Sequence, residues 1–288
     1  MTVVRRLEPS DIPAVLSWDA IRDPSHLFLA NLLEAALEGE RPSFSRLPHR
    51  REPVSEGRFL AAYGEGGLEG LCFLGSKRLF VLGPGYPSAA SAFAPEILAE
   101  RESPRIGLGP PESMTILLLR LQAELPVRLL RSQPFLAVSR GDPLGETLPI
   151  RPAQPDDLAW LVEANLRLNA EDLGIDPGRV DRRGLCAQIE RRMLEGRTRL
   201  AEVSGVPVAK LEIGQRGPHG ALIEGVYTRP ESRGRGFARR LVASAAAECL
   251  ETHPRVGLHV GRDNERALRA YEAAGFREVA DLRLVLFA

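Results

Sequence analysis

The chain has 288 residues, 44% of them hydrophobic and 26% charged, with 38 basic side chains against 38 acidic ones. That is the profile of an ordinary globular protein with room for one large or two ordinary domains. A formal net charge of zero excludes a global field that would recruit nucleic acid or an anionic membrane, so any phosphate site has to be local.

Near the N-terminus, Val4-Arg5 to Pro9, Asp11 and Ile12 reads as a first strand, a capping turn and the start of an amphipathic helix. The same signals return 146 residues later, at Ile150-Arg151 to Pro155, Asp157 and Leu158, and an internal repeat on this scale predicts two similar halves. Between them the patterns predict a helix over 26–37, strands near 58–63, 68–74 and 78–82, and helices near 89–100 and 112–125. The proline-rich stretch Arg41 to Pro53 reads as an exposed loop, and Gly141 to Pro149 as the linker between domains 1–145 and 146–288. The glycine runs at 83–85 and 105–110 read as plain turns.

In the second half the patterns predict a helix over 156–169, an acidic loop from Glu171 to Gly178, a helix near 185–194, and strands at 198–203, 208–213 and 222–227. Arg229-Pro230-Glu231 then breaks the chain before a loop of arginine and glycine. From Ala238 the residues Leu241, Val242, Ala245, Cys249 and Leu250 recur on one face of a helix. Gly234 and Gly236 let the backbone pass close to a ligand, and the first amides of the helix lack partners, so a phosphate or pyrophosphate is the natural occupant. The bland alternative is a tight turn with a solvated basic rim. The stretch lacks the lysine and hydroxyl of a triphosphate loop and the glycine spacing of a dinucleotide fingerprint, which weighs against kinase, ATPase and dehydrogenase readings.

The run V-Y-T-R-P-E-S-R-G-R-G-F-A, Val226 to Ala238, resembles the acyl-coenzyme A loop of the GNAT acetyltransferases, with Arg233, Gly236 and Ala238 at the pattern positions. The strand VGLHV and then N-E-R-A-L-R-A-Y-E-A-A-G-F, Asn264 to Phe276, follow in the family's order. The resemblance implies an α/β (α+β) fold of two tandem GNAT-like domains, each a mixed central sheet flanked by helices, the first degenerate and the second intact.

By the same resemblance the chain is an acetyl-CoA-dependent N-acetyltransferase acting on a small-molecule or peptide amine, with coenzyme A as cosubstrate and no metal. The donor site comprises Val226, Tyr227, Thr228, Arg233, Gly234, Arg235, Gly236, Phe237, Ala238, Arg239 and Asn264, and Tyr271 is the general acid toward the sulfur. Alternation puts Glu224 inside the strand on the face of Leu222 and Val226, where burial would raise its pKa and suit it as the base. His259, facing away from Leu258 and Val260, is the rival base. Lys210 and Glu212 share a face as a simple ion pair. The alternatives are an acyl-coenzyme A sensor without turnover, or a tandem transferase for peptidic or tRNA-linked acceptors, for which no basic stripe argues.

Cys72, Cys186 and Cys249 are odd in number, far apart and without metal-ligand spacing, so they read as free thiols in a reducing compartment. With no apolar run of transmembrane length and no signal-peptide core, a cytoplasmic protein is expected, without membrane or nucleic-acid partners. Tandem fusion internalises a pairing that single-domain relatives make as dimers, which favours a monomer over a homodimer.

Overall fold

A computed structural model describes residues 2–37, 57–75 and 78–288; the loop expected at 41–53 lies outside them. In chain order the elements are β1 (Val3–Arg6), α1 (Ile12–Leu16), α2 (Leu27–Leu37), β2 (Gly57–Gly64), β3 (Gly67–Gly75), β4 (Leu79–Gly85), α3 (Pro87–Ala90), α4 (Ala94–Leu98), β5 (Ile106–Gly109), α5 (Pro111–Leu121) and β6 (Val127–Ser132). They continue as β7 (Phe135–Ser139), β8 (Arg151–Pro152), α6 (Leu158–Leu173), α7 (Arg182–Leu194), β9 (Thr198–Val203), β10 (Val206–Gly217), β11 (Gly220–Thr228), α8 (Phe237–Leu250), β12 (Arg255–His259), α9 (Glu265–Ala273), β13 (Arg277–Ala280) and β14 (Arg283–Phe287).

Two expectations about helices are corrected. The helix over 89–100 is broken into α3, a 3-10 turn at Ser91–Phe93 and α4, because Pro95 has no amide to donate and its ring clashes with the preceding turn. The acidic segment from Glu171 is not loop at its start. α6 runs on through Glu171 and Asp172 to Leu173 and ends at Gly174, whose φ of 61° supplies the left-handed cap.

The strands form two seven-stranded mixed sheets, β1-β2-β3-β4-β5-β14-β6 and β13-β7-β12-β11-β10-β9-β8. Read from β8, the second repeats the first position by position, with β4 and β5 parallel in one and β11 and β12 parallel in the other. The sixth place in each sheet is filled from a distant part of the chain. β14, the last strand, pairs antiparallel with both β5 and β6, while β7, which directly follows β6, sits between β12 and β13.

Accordingly one compact unit comprises residues before 136 with 278–288, and the other residues 136–277. This moves the division expected at 145/146 and returns the C-terminus to the first unit. β13 straddles the second change. The expected linker is part of the second unit, since Leu148 N donates to Ser244 Oγ at 2.9 Å and Gly145 N to the Ala274 carbonyl at 3.1 Å.

The first unit buries Phe80, Met114, Leu117, Leu121, Val285 and Phe287 in one cluster. Its glycines serve packing: a Cβ at Gly107 would stand 2.3 Å from the Phe80 ring and one at Gly109 2.6 Å from Leu82 Cβ. In the second unit α8 packs on the sheet through a stripe wider than the helical period alone suggests, with Ala243, Ser244 and Ala246 also buried. Small side chains let helix and sheet approach closely. Cys72 and Cys249 are buried and free, and Cys186 is half-buried. Burial raises both buried thiols, Cys249 to about 11.

The repeated N-terminal signal is one corner built twice. Arg5 donates to Asp11 at 2.8 and 3.0 Å and Arg151 to Asp157 at 2.7 and 2.9 Å. Glu8 with Asp11, and Gln154 with Asp157, form reciprocal caps on the intervening 3-10 turns. The Arg151 hydrogen bond, ahead of every other influence, holds Asp157 below the usual carboxylate range. A depressed folded pKa stabilises above the unfolded value, and that stability is lost as pH falls through the folded one. Asp157→Ala is expected to destabilise the chain by about 1–3 kcal/mol near neutrality. In thermal melts the gap between wild type and variant should narrow below about pH 4; a gap independent of pH would contradict this.

Candidate active site

The site of the second unit begins where its sheet opens. β11 and β12 pair in parallel over Ala221–Ile223 and Val256–Leu258, although β11 continues to Thr228. The cause is local. Opposite β10, Lys210 pairs with Tyr227 and Glu212 with Glu224, so β11 carries one extra residue there. Gly225, with φ of 61°, takes up the bulge, a conformation that costs other residues about 1 kcal/mol or more. A Cβ on Gly225 would also lie 3.0 Å from Lys210 Nζ and 3.3 Å from Glu212 Cγ.

The bulge corrects the placement of Glu224. It flips the alternation, so Val226 packs with Ile223 against α8 while Glu224 lies on the opposite face with Lys210 and Glu212. Nor is Glu224 a buried carboxylate: its side chain is 48% exposed, and Oε1 accepts from Arg192 Nη2 of α7 at 3.1 Å. Gly214 of β10 leaves the room, since a Cβ there would stand 2.4 Å from Glu224 Cδ. The expectation of a buried strand carboxylate is therefore corrected.

Beneath the bulge, Lys210 and Glu212 are fully buried and form more than an ion pair. Lys210 Nζ donates to Asn165 Oδ1 of α6 at 3.1 Å and to Glu212 Oε1 at 3.4 Å, and Thr198 Oγ1 donates to Glu212 Oε2 at 2.7 Å. Burial lowers the pKa of Lys210, and Glu212 opposes it.

Beyond the bulge, Val226 is half-buried and Tyr227 buried. Thr228 Oγ1 is buried and has no hydrogen-bond partner among the described residues, which costs on the order of 1–3 kcal/mol unless a ligand satisfies it. Arg233 bridges outward: Nε donates to the Thr228 carbonyl at 3.0 Å and Nη2 to Glu171 at 2.8 and 3.1 Å. Its guanidinium also lies 5.6 Å from the Tyr227 ring centroid. The end of α6 is thereby tied to the glycine loop.

In that loop Gly234 and Gly236 have φ of 75° and 76°, and a Cβ on Gly234 would meet nothing within 4 Å. Gly236 caps α8, whose first helical bond runs from Arg240 N to the Gly236 carbonyl. The amides of Phe237, Ala238 and Arg239 therefore precede the helix's own ladder. Arg235 and Arg240 lie 5.2 and 5.3 Å from the Phe237 ring centroid, and Glu146 pairs with Arg239 at 3.1 Å and Arg240 at 3.6 Å. The loop thus presents open backbone, helix-start amides and an arginine rim, a combination suited to an anion.

Asn264 caps α9, its Oδ1 accepting from Ala267 N at 3.2 Å. Tyr271 is buried in the α8 cluster, and burial first, then the charge of Asp172, raises its pKa above the ordinary phenol value. His259 faces away from Val256, Leu258 and Val260 of that cluster, and burial pushes its pKa down to about 4. Arg192 was not singled out from sequence, because what draws it to this place is Glu224, a neighbour distant in the chain. Gly225 did carry a signal, a glycine inside a strand. Among the described residues no group of side chains is arranged for a metal and no helix is long and apolar enough to cross a membrane.

The family model of the GNAT acetyltransferases matches residues 172–276. No curated protein matches the chain. Among solved structures, the chain is similar to a GCN5-related N-acetyltransferase from Sphaerobacter thermophilus at 18% identity and a TM-score of 0.59, over 99% of this chain and 94% of that one. It is also similar to a GNAT-family acetyltransferase from Colwellia psychrerythraea, at 12% identity and 0.53 over 99% and 100%, and to a Drosophila protein at 13% and 0.65 over 99% of both. At these identities the structures speak to fold alone. Residues 172–276, which hold the bulged strand, the glycine loop and α9, form a domain of the GNAT acetyltransferase family.

Proposed function

We propose that the second unit transfers an acetyl group from acetyl-coenzyme A to a primary amine by direct attack. The observation that carries this reading is the opening between β11 and β12, which ends in the unpartnered Thr228 hydroxyl and the glycine loop. The amides of residues 234–239 and the start of α8 hold the pyrophosphate, aided by the helix dipole. The opened edge of Val226, Tyr227 and Thr228 takes the pantetheine arm, and a main-chain amide there polarises the thioester carbonyl. Asn264, occupied in capping α9, acts by fixing the start of the helix that carries Tyr271.

In the reaction, Glu224 removes a proton from the acceptor ammonium, directly or through water. The freed amine nitrogen bonds to the carbonyl carbon and gives up its second proton to solvent, the C–S bond breaks, and the sulfur takes the Tyr271 proton. Glu224 then returns a proton to the phenolate through solvent. A phenol raised above its ordinary value stays protonated throughout the neutral range, and the same exclusion of water raises the departing thiolate, so the transfer accompanies bond cleavage.

Calorimetric titration with acetyl-coenzyme A is expected to give one site per chain, and Gly236→Glu to weaken it at least about tenfold. Gly236→Ala imposes the same backbone strain without the charge and should bind between the two. Two sites, or an unaffected Gly236→Glu protein, would refute this placement of the donor.

A further inference from the structure

Four ionisable side chains surround the bulge at Gly225 in two layers. The inner pair, Lys210 and Glu212, is buried and has its own partners in Asn165 and Thr198. The outer pair, Arg192 and Glu224, touches only at 3.1 Å, with side chains 20% and 48% exposed. Glu224 immediately follows the last ladder residue of β11, so this pair stands beside the opening.

A simple ammonium arriving at Glu224 would take the carboxylate from Arg192. That would leave a mostly buried guanidinium, close enough to Lys210 for their charges to interact, without a counter-ion, an expensive state. An acceptor carrying its own carboxylate next to its amine removes this cost. Its two charges exchange with the pair one for one, and the cluster's balance of two cations and two carboxylates is kept.

We infer that the acceptor is a zwitterionic α-amino acid, its carboxylate on Arg192 and its amine on Glu224. This rests on the reading that the second unit acylates an amine, and it adds a step: the acceptor's carboxylate releases Glu224 from Arg192, and the released group takes the ammonium proton. Peptide N-termini, aminosugars and diamines lack the adjacent carboxylate and are discriminated against.

The test offers the proteinogenic α-amino acids beside their amides and decarboxylated amines, with acetyl-coenzyme A and the full chain. The best amino acid is expected to exceed its two counterparts by about a hundredfold in kcat/KM, because a site built for the carboxylate leaves Arg192 unpaired without it. Arg192→Gln should erase that preference, chiefly through KM, and Arg192→Lys should retain part of it. Equal or better use of the amines, with Arg192→Gln unchanged, would overturn the inference and leave acetyl transfer standing. Calorimetry with coenzyme A present separates the remaining outcomes. Amino acids that bind without turnover would support the acceptor class and sink the transfer reading, whereas neither turnover nor binding would overturn the inference itself.

Discussion

Deleting residues 282–288 is expected to abolish cooperative folding of the first unit, although the deletion touches only the far end of the chain. β14 lies between β5 and β6 and pairs with both, so its loss leaves a gap that neither neighbour can close. Val285 is fully buried, Phe287 nearly so, and the Phe287 ring lies 6.1 Å from that of Phe80. Losing buried Leu282, Val285, Leu286 and Phe287 forfeits about 1.5–3 kcal/mol each, together with two ladders of hydrogen bonds. That is comparable to the whole stability of a domain, about 5–15 kcal/mol. Limited proteolysis should cut the truncated chain rapidly within residues 57–132 while wild type resists. Val285→Asp, which buries an unpaired charge at the same place, should do likewise; resistance in both would refute the role assigned to β14.

The second large effect is on chemistry. Glu224→Gln and Tyr271→Phe are each expected to reduce kcat/KM by about a hundredfold or more, with donor affinity nearly unchanged, because each removes a proton-transfer group and leaves the glycine loop alone. His259→Gln should cost less than about tenfold, its imidazole being held neutral at about 4. The pH profile carries a further check. Because burial and Asp172 raise the Tyr271 phenol, no alkaline loss of rate from its ionisation is expected before about pH 10. Steady-state kinetics decide the assignment, since a Tyr271→Phe protein with full turnover would remove the tyrosine from the mechanism.

The helix after the glycine loop was legible because its apolar period is local and long. The repeated corner was legible as a strand, a turn and a helix start because its arginine, proline and aspartate recur at the same spacing, whereas the clamp between arginine and aspartate emerged only from the structure. Strand exchange was not legible: FLAVS and RLVLF are short apolar runs, and nothing in either says which sheet it joins, a choice made by pairing across much of the chain. Strict alternation put Val226 on the face of Glu224, and one left-handed glycine reversed it. The salt bridge of Glu224 to Arg192 was equally hidden, since it joins a strand to a helix more than thirty residues earlier. Glu171 and Asp172 looked like loop by acidity, yet their run is helix-compatible until Gly174.

Set beside each other, the two corners show one folding device used twice within a single chain. Arg5–Asp11 and Arg151–Asp157 have the same residues at nearly the same distances in both units, and the reciprocal cap is made by Glu8 in one and Gln154 in the other. The connection after the fourth strand differs: in one unit it is the open glycine loop, in the other Gly85-Tyr86-Pro87 leading straight into a short helix. The clamp closes a corner that both units have to fold, whereas the open glycine loop follows the fourth strand of the second unit and not that of the first.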